Sequence, residues 1–123
     1  MAKKSKSCAP GIVKMINMVN FEKATKSKNP IVVQMYSNYC GACEDAKPLI
    51  EAAACQLQGK AEVYKVDVDA NPSLADKFKI DEIPTVLVMQ DGKVKKKTIG
   101  LNSSDELIKM VKAVSGKAKG KKA

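Results

Sequence analysis

The sequence predicts a single α/β domain in which a mixed β-sheet carries helices on both faces. A length of 123 residues suits one hydrophobic core. Strand-like apolar runs alternate with helical patterns, and a Cys-x-x-Cys pair, Cys40 and Cys43, lies where the most apolar run gives way to a helix. We expect a flexible basic leader at 1–11, the domain at 12–115, and a disordered Lys-rich tail at 116–123.

The first half of the chain predicts two strand–helix units. Residues 12–16 favour a short strand and residues 20–26 a short helix. The run 31–36 is apolar and rich in β-branched residues, as expected for a central strand buried on both faces. A long helix is predicted from 41 to 58, with an apolar stripe at helical spacing. The stripe consists of Ala46, Leu49, Ile50, Ala53 and Leu57.

The second half predicts a strand, a short helix, a β-hairpin and a final helix. Their bounds are 62–68, 71–78, 85–89 paired with 94–99, and a helix that begins after Ser103 or Ser104. Asp91-Gly92 is a typical hairpin turn, and the lysines of its second strand suit a protected sheet edge. The apolar face of the final helix consists of Leu107, Ile108, Val111 and Val114.

The net charge of +9 is concentrated at the two ends of the chain. All 22 basic residues are lysines, and seven of them lie in the leader and the tail. Because bidentate reading of bases and phosphates favours arginine, no specific nucleic-acid binding is expected. The tails are interpreted as solubilising, with loose attraction to an anionic partner as the alternative. No stretch is apolar enough for a membrane span or a signal peptide, so a cytoplasmic protein is expected.

The four cysteines favour redox chemistry over metal binding. The chain has no histidine, which excludes Cys–His nucleophile pairs and Cys/His zinc sites. A lone Cys-x-x-Cys among alternating strands and helices favours a dithiol/disulfide couple. Cys8 and Cys55 are interpreted as spare thiols, with a regulatory disulfide or a covalent dimer as alternatives.

These residues resemble the thioredoxin family from about Val13 to Val114. A Cys-x-x-Cys alone would be a weak signal, so the resemblance rests on several motifs taken together. The pattern comprises Cys-Gly-x-Cys after a buried strand, Pro48, Val-Asp-Val-Asp-Ala-Asn-Pro at 66–72, Ile83-Pro84-Thr85, the Asp91-Gly92 hairpin and Gly100. It implies a thioredoxin fold, with a central mixed five-stranded sheet flanked by four helices. It also implies a protein-disulfide reductase.

The resemblance assigns roles to both cysteines. Cys40 would be the nucleophile, because the N-terminus of the following helix favours a thiolate. Cys43 would resolve the mixed disulfide that Cys40 forms with a target. The active-site neighbours would be Tyr39, Gly41, Ala42, Gln34 and Lys65. The substrate would pair, as an added strand, with a loop formed by Ile83, a cis Pro84, Thr85, Gly100 and Leu101.

Three departures from the family pattern bear on this chemistry. Gln34 replaces a buried Asp that helps to deprotonate the second cysteine, and Lys65 thereby loses its usual partner, so we expect slower resolution, assisted by water or by Glu44. Ala42 replaces a proline between the cysteines, which predicts a more oxidising couple. Glu44, Asp45, Asp81 and Glu82 form an acidic rim, which near Cys40 would disfavour its thiolate and repel acidic targets. Solvated helix residues are the alternative interpretation of the rim.

The expected partners are disulfide-containing proteins and an electron donor such as a thioredoxin reductase. We expect a monomer that needs no cofactor beyond its own redox-active disulfide, no metal and no membrane. Three alternatives remain: a thiol oxidase or disulfide isomerase, a non-catalytic adaptor that uses the same groove, and metal or iron–sulfur binding by the cysteines of two chains.

Overall fold

The computed structural model describes the backbone of residues 12–122 and the side chains of residues 12–114. The leader at 1–11, with Cys8, lies outside the described residues. The nine elements follow the predicted order. They are β1 (Lys14–Met15), α1 (Phe21–Thr25), β2 (Ile31–Tyr36), α2 (Gly41–Gln56), β3 (Glu62–Asp67), α3 (Pro72–Lys77), β4 (Thr85–Gln90), β5 (Lys93–Ile99) and α4 (Ser104–Lys122).

The five strands form one mixed sheet in the order β1-β3-β2-β4-β5. β3 runs parallel to both β1 and β2, whereas β4 runs antiparallel to β2 and to β5. β2 is the middle strand, and every one of its residues except Tyr36 is buried. The continuous apolar run therefore indicated a central strand correctly, because both faces of such a strand are covered.

Helices cover both faces of the sheet, and each face has its own core. Side chains of α2 and α4 pack on one face against alternate residues of the strands, with Val32 and Val63 among them. Side chains of α1 and α3 pack on the other face, where the ring centroids of Phe21 and Phe78 are 5.3 Å apart. Because successive strand residues alternate between faces, Gln34 and Lys65 lie on the α2 face together with Val32 and Val63.

The structure differs from the sequence prediction mainly at the end of the chain. α4 continues to Lys122, so the predicted domain boundary at 115 falls inside a helix. Alanine and lysine are good helix formers, and lysine is favourable near a helix C-terminus. Leu49 is only half-buried on the stripe of α2. Cys55 is also half-buried, and since it is not a free thiol its interpretation as a spare thiol is wrong.

The start of α4 is fixed by two hydrogen bonds that involve Glu106. The Ser103 hydroxyl accepts a hydrogen bond from the Glu106 backbone N–H at 3.2 Å, and the Glu106 carboxylate accepts one from the Asn102 N–H at 2.9 Å. Ser103 is therefore the capping residue, as one of the two predicted choices. Within the described residues, no helix is both long and apolar enough to cross a bilayer.

Leu107 and Ile108 are neighbours on α4 that allow a matched test of this packing. Leu107 is completely buried in the core under α2, whereas Ile108 is half-buried at its edge. We predict that Leu107→Ala lowers the free energy of unfolding by about 2–5 kcal/mol. Ile108→Ala should cost less than half as much. Urea denaturation of both variants measures the difference, and equal losses would contradict the assigned face of α4.

Candidate active site

The two cysteines of the Cys-x-x-Cys pair lie at the N-terminus of α2. Cys40 is the N-cap residue, and its sulfur accepts a hydrogen bond from the backbone N–H of Cys43 at 3.0 Å. The pair is disulfide-bonded, with 5.2 Å between the two Cα atoms. Cys43 is 5% exposed and Cys40 is half-buried. The unpaired amides and the positive end of the helix dipole thus favour a thiolate on the more accessible of the two sulfurs.

The loop that delivers Cys40 from β2 is tied to the end of β3. The Ser37 hydroxyl accepts a hydrogen bond from the Tyr39 N–H at 3.1 Å and donates one to the Asp69 carboxylate at 2.6 Å. The Asn38 side chain donates to the carboxylate of Asp67 at 3.3 Å. These contacts hold the turn between strand and helix in one arrangement. Sequence reasoning missed them, because their partners lie about thirty residues further along the chain.

The loop before β4 faces the cysteine pair. The Ile83–Pro84 peptide bond is cis, and the Ile83 carbonyl oxygen lies 3.8 Å from the Cys40 sulfur. Pro84 is buried, and its carbonyl accepts a hydrogen bond from the Gly100 N–H at 2.8 Å. Gly100 has a φ of +81°, a conformation that favours glycine. The structure therefore brings these three predicted residues together beside Cys40.

The other two residues predicted to bind substrate lie deeper. Thr85 is buried at the start of β4, and its hydroxyl donates a hydrogen bond to the Glu82 carbonyl. Leu101 is half-buried and packs against the core under α2 and α4. In these positions Thr85 holds the loop through Glu82, Leu101 contributes to the core, and the accessible part of the loop is at Ile83, which is half-exposed.

The residues next to the cysteines are open to solvent. Tyr39 is 91% exposed, and Gly41 and Ala42 are also exposed. A Cβ atom added at Gly41 would meet nothing within 4 Å. The surface around Cys40 thus consists of the Tyr39 ring and the small residues Gly41 and Ala42. These residues leave room for a second polypeptide.

A cavity of about 220 Å³ lies behind Cys43. It is lined by Met15, Gln34, Tyr36, Ser37, Asn38, Cys43, Glu44, Lys47 and Lys65. The structure therefore brings the predicted residues Gln34 and Lys65, which pair in the β2–β3 register, to the same space as Cys43. Sequence reasoning did not predict that Lys47 lies near Cys43. Its position four residues after Cys43 on the same helix could have indicated this.

The electrostatics of this cavity come from a few charged side chains. The Lys65 ammonium lies over the ring of Tyr36, 5.6 Å from its centroid. Burial raises the pKa of Tyr36 from its ordinary value of 10.0, and Asp67 raises it further. Tyr36 therefore stays protonated at neutral pH, and its ring offers Lys65 a neutral π face.

The four residues of the acidic rim are all exposed. Glu44 lines the cavity together with Cys43, and Glu82 contributes its carbonyl to the loop before β4. Across the described part of the chain, no three ligating side chains come close enough together to hold a metal ion.

Comparison with known proteins agrees with the fold and with the cysteine site. The profile of the Thioredoxin family matches residues 12–113. A thioredoxin from Chlamydia trachomatis is 30% identical over 100 residues, which cover 81% of this chain and 96% of that protein. A thioredoxin from Staphylococcus aureus is 35% identical over 80 residues, covering 65% of this chain and 77% of the relative.

Solved structures of thioredoxins have the same fold. That from Malassezia sympodialis superposes with a TM-score of 0.78 at 23% identity, and a mutant thioredoxin from Halobacterium salinarum superposes with 0.75 at 25% identity. Each alignment covers 87% of this chain and 94% of the other. Members of the family are protein-disulfide reductases. From its fold, its Cys40–Cys43 disulfide and these relatives, the chain belongs to the thioredoxin family of thiol-disulfide oxidoreductases.

Proposed function

We propose that this chain reduces disulfides in other proteins, with Cys40 as the nucleophile and Cys43 as the resolving thiol. The main support for this proposal is the hydrogen bond from the Cys43 N–H to the Cys40 sulfur at 3.0 Å. The same amide would stabilise a Cys40 thiolate in the reduced protein. Cys43, 5% exposed, is shielded from external disulfides but adjacent to Cys40.

The reaction would proceed in two exchanges. The Cys40 thiolate attacks one sulfur of the target disulfide, and the other target sulfur leaves as a thiolate that takes up a proton. The Cys43 thiolate then attacks the Cys40 sulfur, which forms the Cys40–Cys43 disulfide and releases the second target sulfur. The target gains two electrons and two protons, and the protein loses them. An external donor must then reduce the disulfide again.

The target chain would lie across the loop before β4. The Ile83 carbonyl faces the Cys40 sulfur at 3.8 Å, so a backbone paired with Ile83 would bring its own cysteine to Cys40. The exposed Tyr39, Gly41 and Ala42 would border the target on the other side. Backbone pairing and a flat border suit targets of many sequences, as expected of a general reductase.

The setting of this activity is proposed from the family. The electron donor is a thioredoxin reductase or a similar dithiol reductase, the protein takes part in electron transport to cellular disulfides, and its site is the cytoplasm. The alternative location is the mitochondrion, because a mitochondrial thioredoxin from Bos taurus is 32% identical over 95 residues. The protein acts as a monomer and needs no cofactor.

Replacement of the resolving cysteine tests the assigned roles. Cys43→Ser should stop multiple turnover in reduction of insulin disulfides while still forming one mixed disulfide per chain, because only the second exchange is lost. Cys40→Ser should form far fewer adducts. Turbidity reports turnover and mass spectrometry reports adducts. Adducts at Cys43 of the Cys40→Ser variant, equal in amount to those at Cys40, would contradict the proposal.

Gln34→Asp tests the effect of the missing carboxylate on resolution. A carboxylate at this position could accept the proton of Cys43, so the second exchange should become faster at neutral pH. Gln34→Asn is the matched control, because it shortens this buried side chain by the same methylene without adding a carboxylate. A second exchange in Gln34→Asp that is no faster than in the unaltered protein refutes the expectation.

The double variant Glu44→Lys, Glu82→Lys tests whether the acidic rim acts on Cys40. Replacing two negative charges with two positive ones should favour the Cys40 thiolate and move its alkylation profile to lower pH by less than about one unit, because the side chains are exposed and screened. Glu22→Lys, Glu51→Lys makes the same charge change away from the site. Identical profiles for the two double variants at low salt would show that the rim has no influence.

A further inference from the structure

The side chain of Gln34 has an unusual environment for a buried amide. It is 5% exposed, and no side-chain hydrogen bond joins it to another described residue. Every fully enclosed polar side-chain atom in the described region has a partner. The small exposed part of the Gln34 amide therefore faces the cavity that Gln34 lines together with Cys43. A buried amide without a protein partner requires water, since leaving it bare is costly.

The cavity is large enough to admit that water. Its volume of about 220 Å³ exceeds the roughly 30 Å³ that a water molecule occupies in the liquid several times over. Hydrogen-bonding groups from Gln34, Ser37 and Asn38 line it. A thiol at Cys43 can thus lose its proton to solvent within the cavity, without a buried base.

The charged side chains that line this cavity are two lysines and one carboxylate, and a second carboxylate, that of Asp67, accepts a hydrogen bond from the lining residue Asn38. α2 contributes Glu44 and Lys47, and β3 contributes Lys65. β2 contributes Tyr36, which remains neutral because burial and Asp67 raise its pKa. Glu44 and Lys47 are both exposed, whereas Lys65 is half-buried and therefore less screened by water.

Lys65 forms no ion pair within the part of the chain that the structure describes. Its recorded side-chain contact is with the ring of Tyr36. Its neighbour across the β2–β3 register is the neutral Gln34. A half-buried ammonium that lies over a neutral ring and forms no ion pair can attract an anion that forms in the cavity.

We propose that Lys65 stabilises the Cys43 thiolate in the resolving exchange, so that charge replaces a buried base in this protein. The Cys43 thiol gives its proton to water in the cavity, and the thiolate forms opposite the Lys65 ammonium. It then attacks the Cys40 sulfur, and the target sulfur leaves as a thiolate that is protonated by solvent. This inference rests on the proposed exchange chemistry. It adds Lys65 as a residue whose positive charge favours the Cys43 thiolate in the second exchange.

Single-turnover kinetics of the full-length protein test the proposal. The reduced protein is mixed with less than one equivalent of a chromogenic aromatic disulfide, which releases one coloured thiolate when Cys40 attacks and a second when Cys43 resolves. The second phase is unimolecular, and its rate is followed against pH. In Lys65→Met its profile should move to higher pH by about half a unit to one unit, so that resolution is about three- to tenfold slower below the midpoint.

Three comparisons separate charge from structure. Lys65→Arg keeps the charge and should retain the profile of the unaltered protein. Lys77→Met removes another ammonium that lies 5.6 Å from a ring centroid, that of Phe78 on α3, and should change nothing. In the unaltered protein, high salt should move the second phase in the same direction as Lys65→Met. The first phase should stay the same in every variant, which also shows that α2 is correctly folded.

The outcomes distinguish this inference from the proposed function. No coloured thiolate from the unaltered protein would overturn both. Two normal phases with an unshifted second profile in Lys65→Met would overturn the role of Lys65 alone. A uniform slowing at all pH values, not restored by Lys65→Arg, would show that Lys65 supports the structure and would likewise overturn it.

Discussion

The junction between β2 and α2 determines what this molecule can do. β2 is the middle strand of the sheet and is buried on both faces, so its C-terminal end is rigidly placed. The chain turns within four residues and begins α2 at Gly41, which leaves Cys40 with the free amides of the helix beside its sulfur. The reactivity of one thiol thus depends on the burial of an entire strand, because a displaced strand would carry the helix N-terminus with it.

The antiparallel pairing of β2 and β4 supplies the other half of the site. Met35 pairs with Thr85, so the loop that precedes β4 comes to the end of β2 and brings the Ile83 carbonyl to Cys40. The parallel pairing of β2 and β3 acts in the same way on the opposite side, where it brings Lys65 beside Gln34. One strand with two different partners therefore places the Ile83 carbonyl beside Cys40 and a cavity with charged side chains beside Cys43.

Local patterns in the sequence predicted the elements well, and long-range contacts explain what they missed. The strand at 31–36, the stripe through Ala46 and Ile50, and the hairpin at Asp91-Gly92 were correct, because each depends on neighbours in the sequence. The hydrogen bond between Ser37 and Asp69 and the presence of Lys47 in the cavity depend on how separate elements pack. The length of α4 was misjudged because a Lys-rich composition is typical both of disordered tails and of exposed helices.

We propose that the fold makes Cys40, and not Cys43, the attacking thiol. The most direct measurement is the rate of alkylation of each cysteine in the reduced protein as a function of pH, resolved by peptide mapping. Cys40 should react faster and its reactivity should begin at lower pH, since its sulfur is more accessible and accepts a hydrogen bond from the helix amide. Equal profiles for the two cysteines, or an earlier reaction of Cys43, would contradict it.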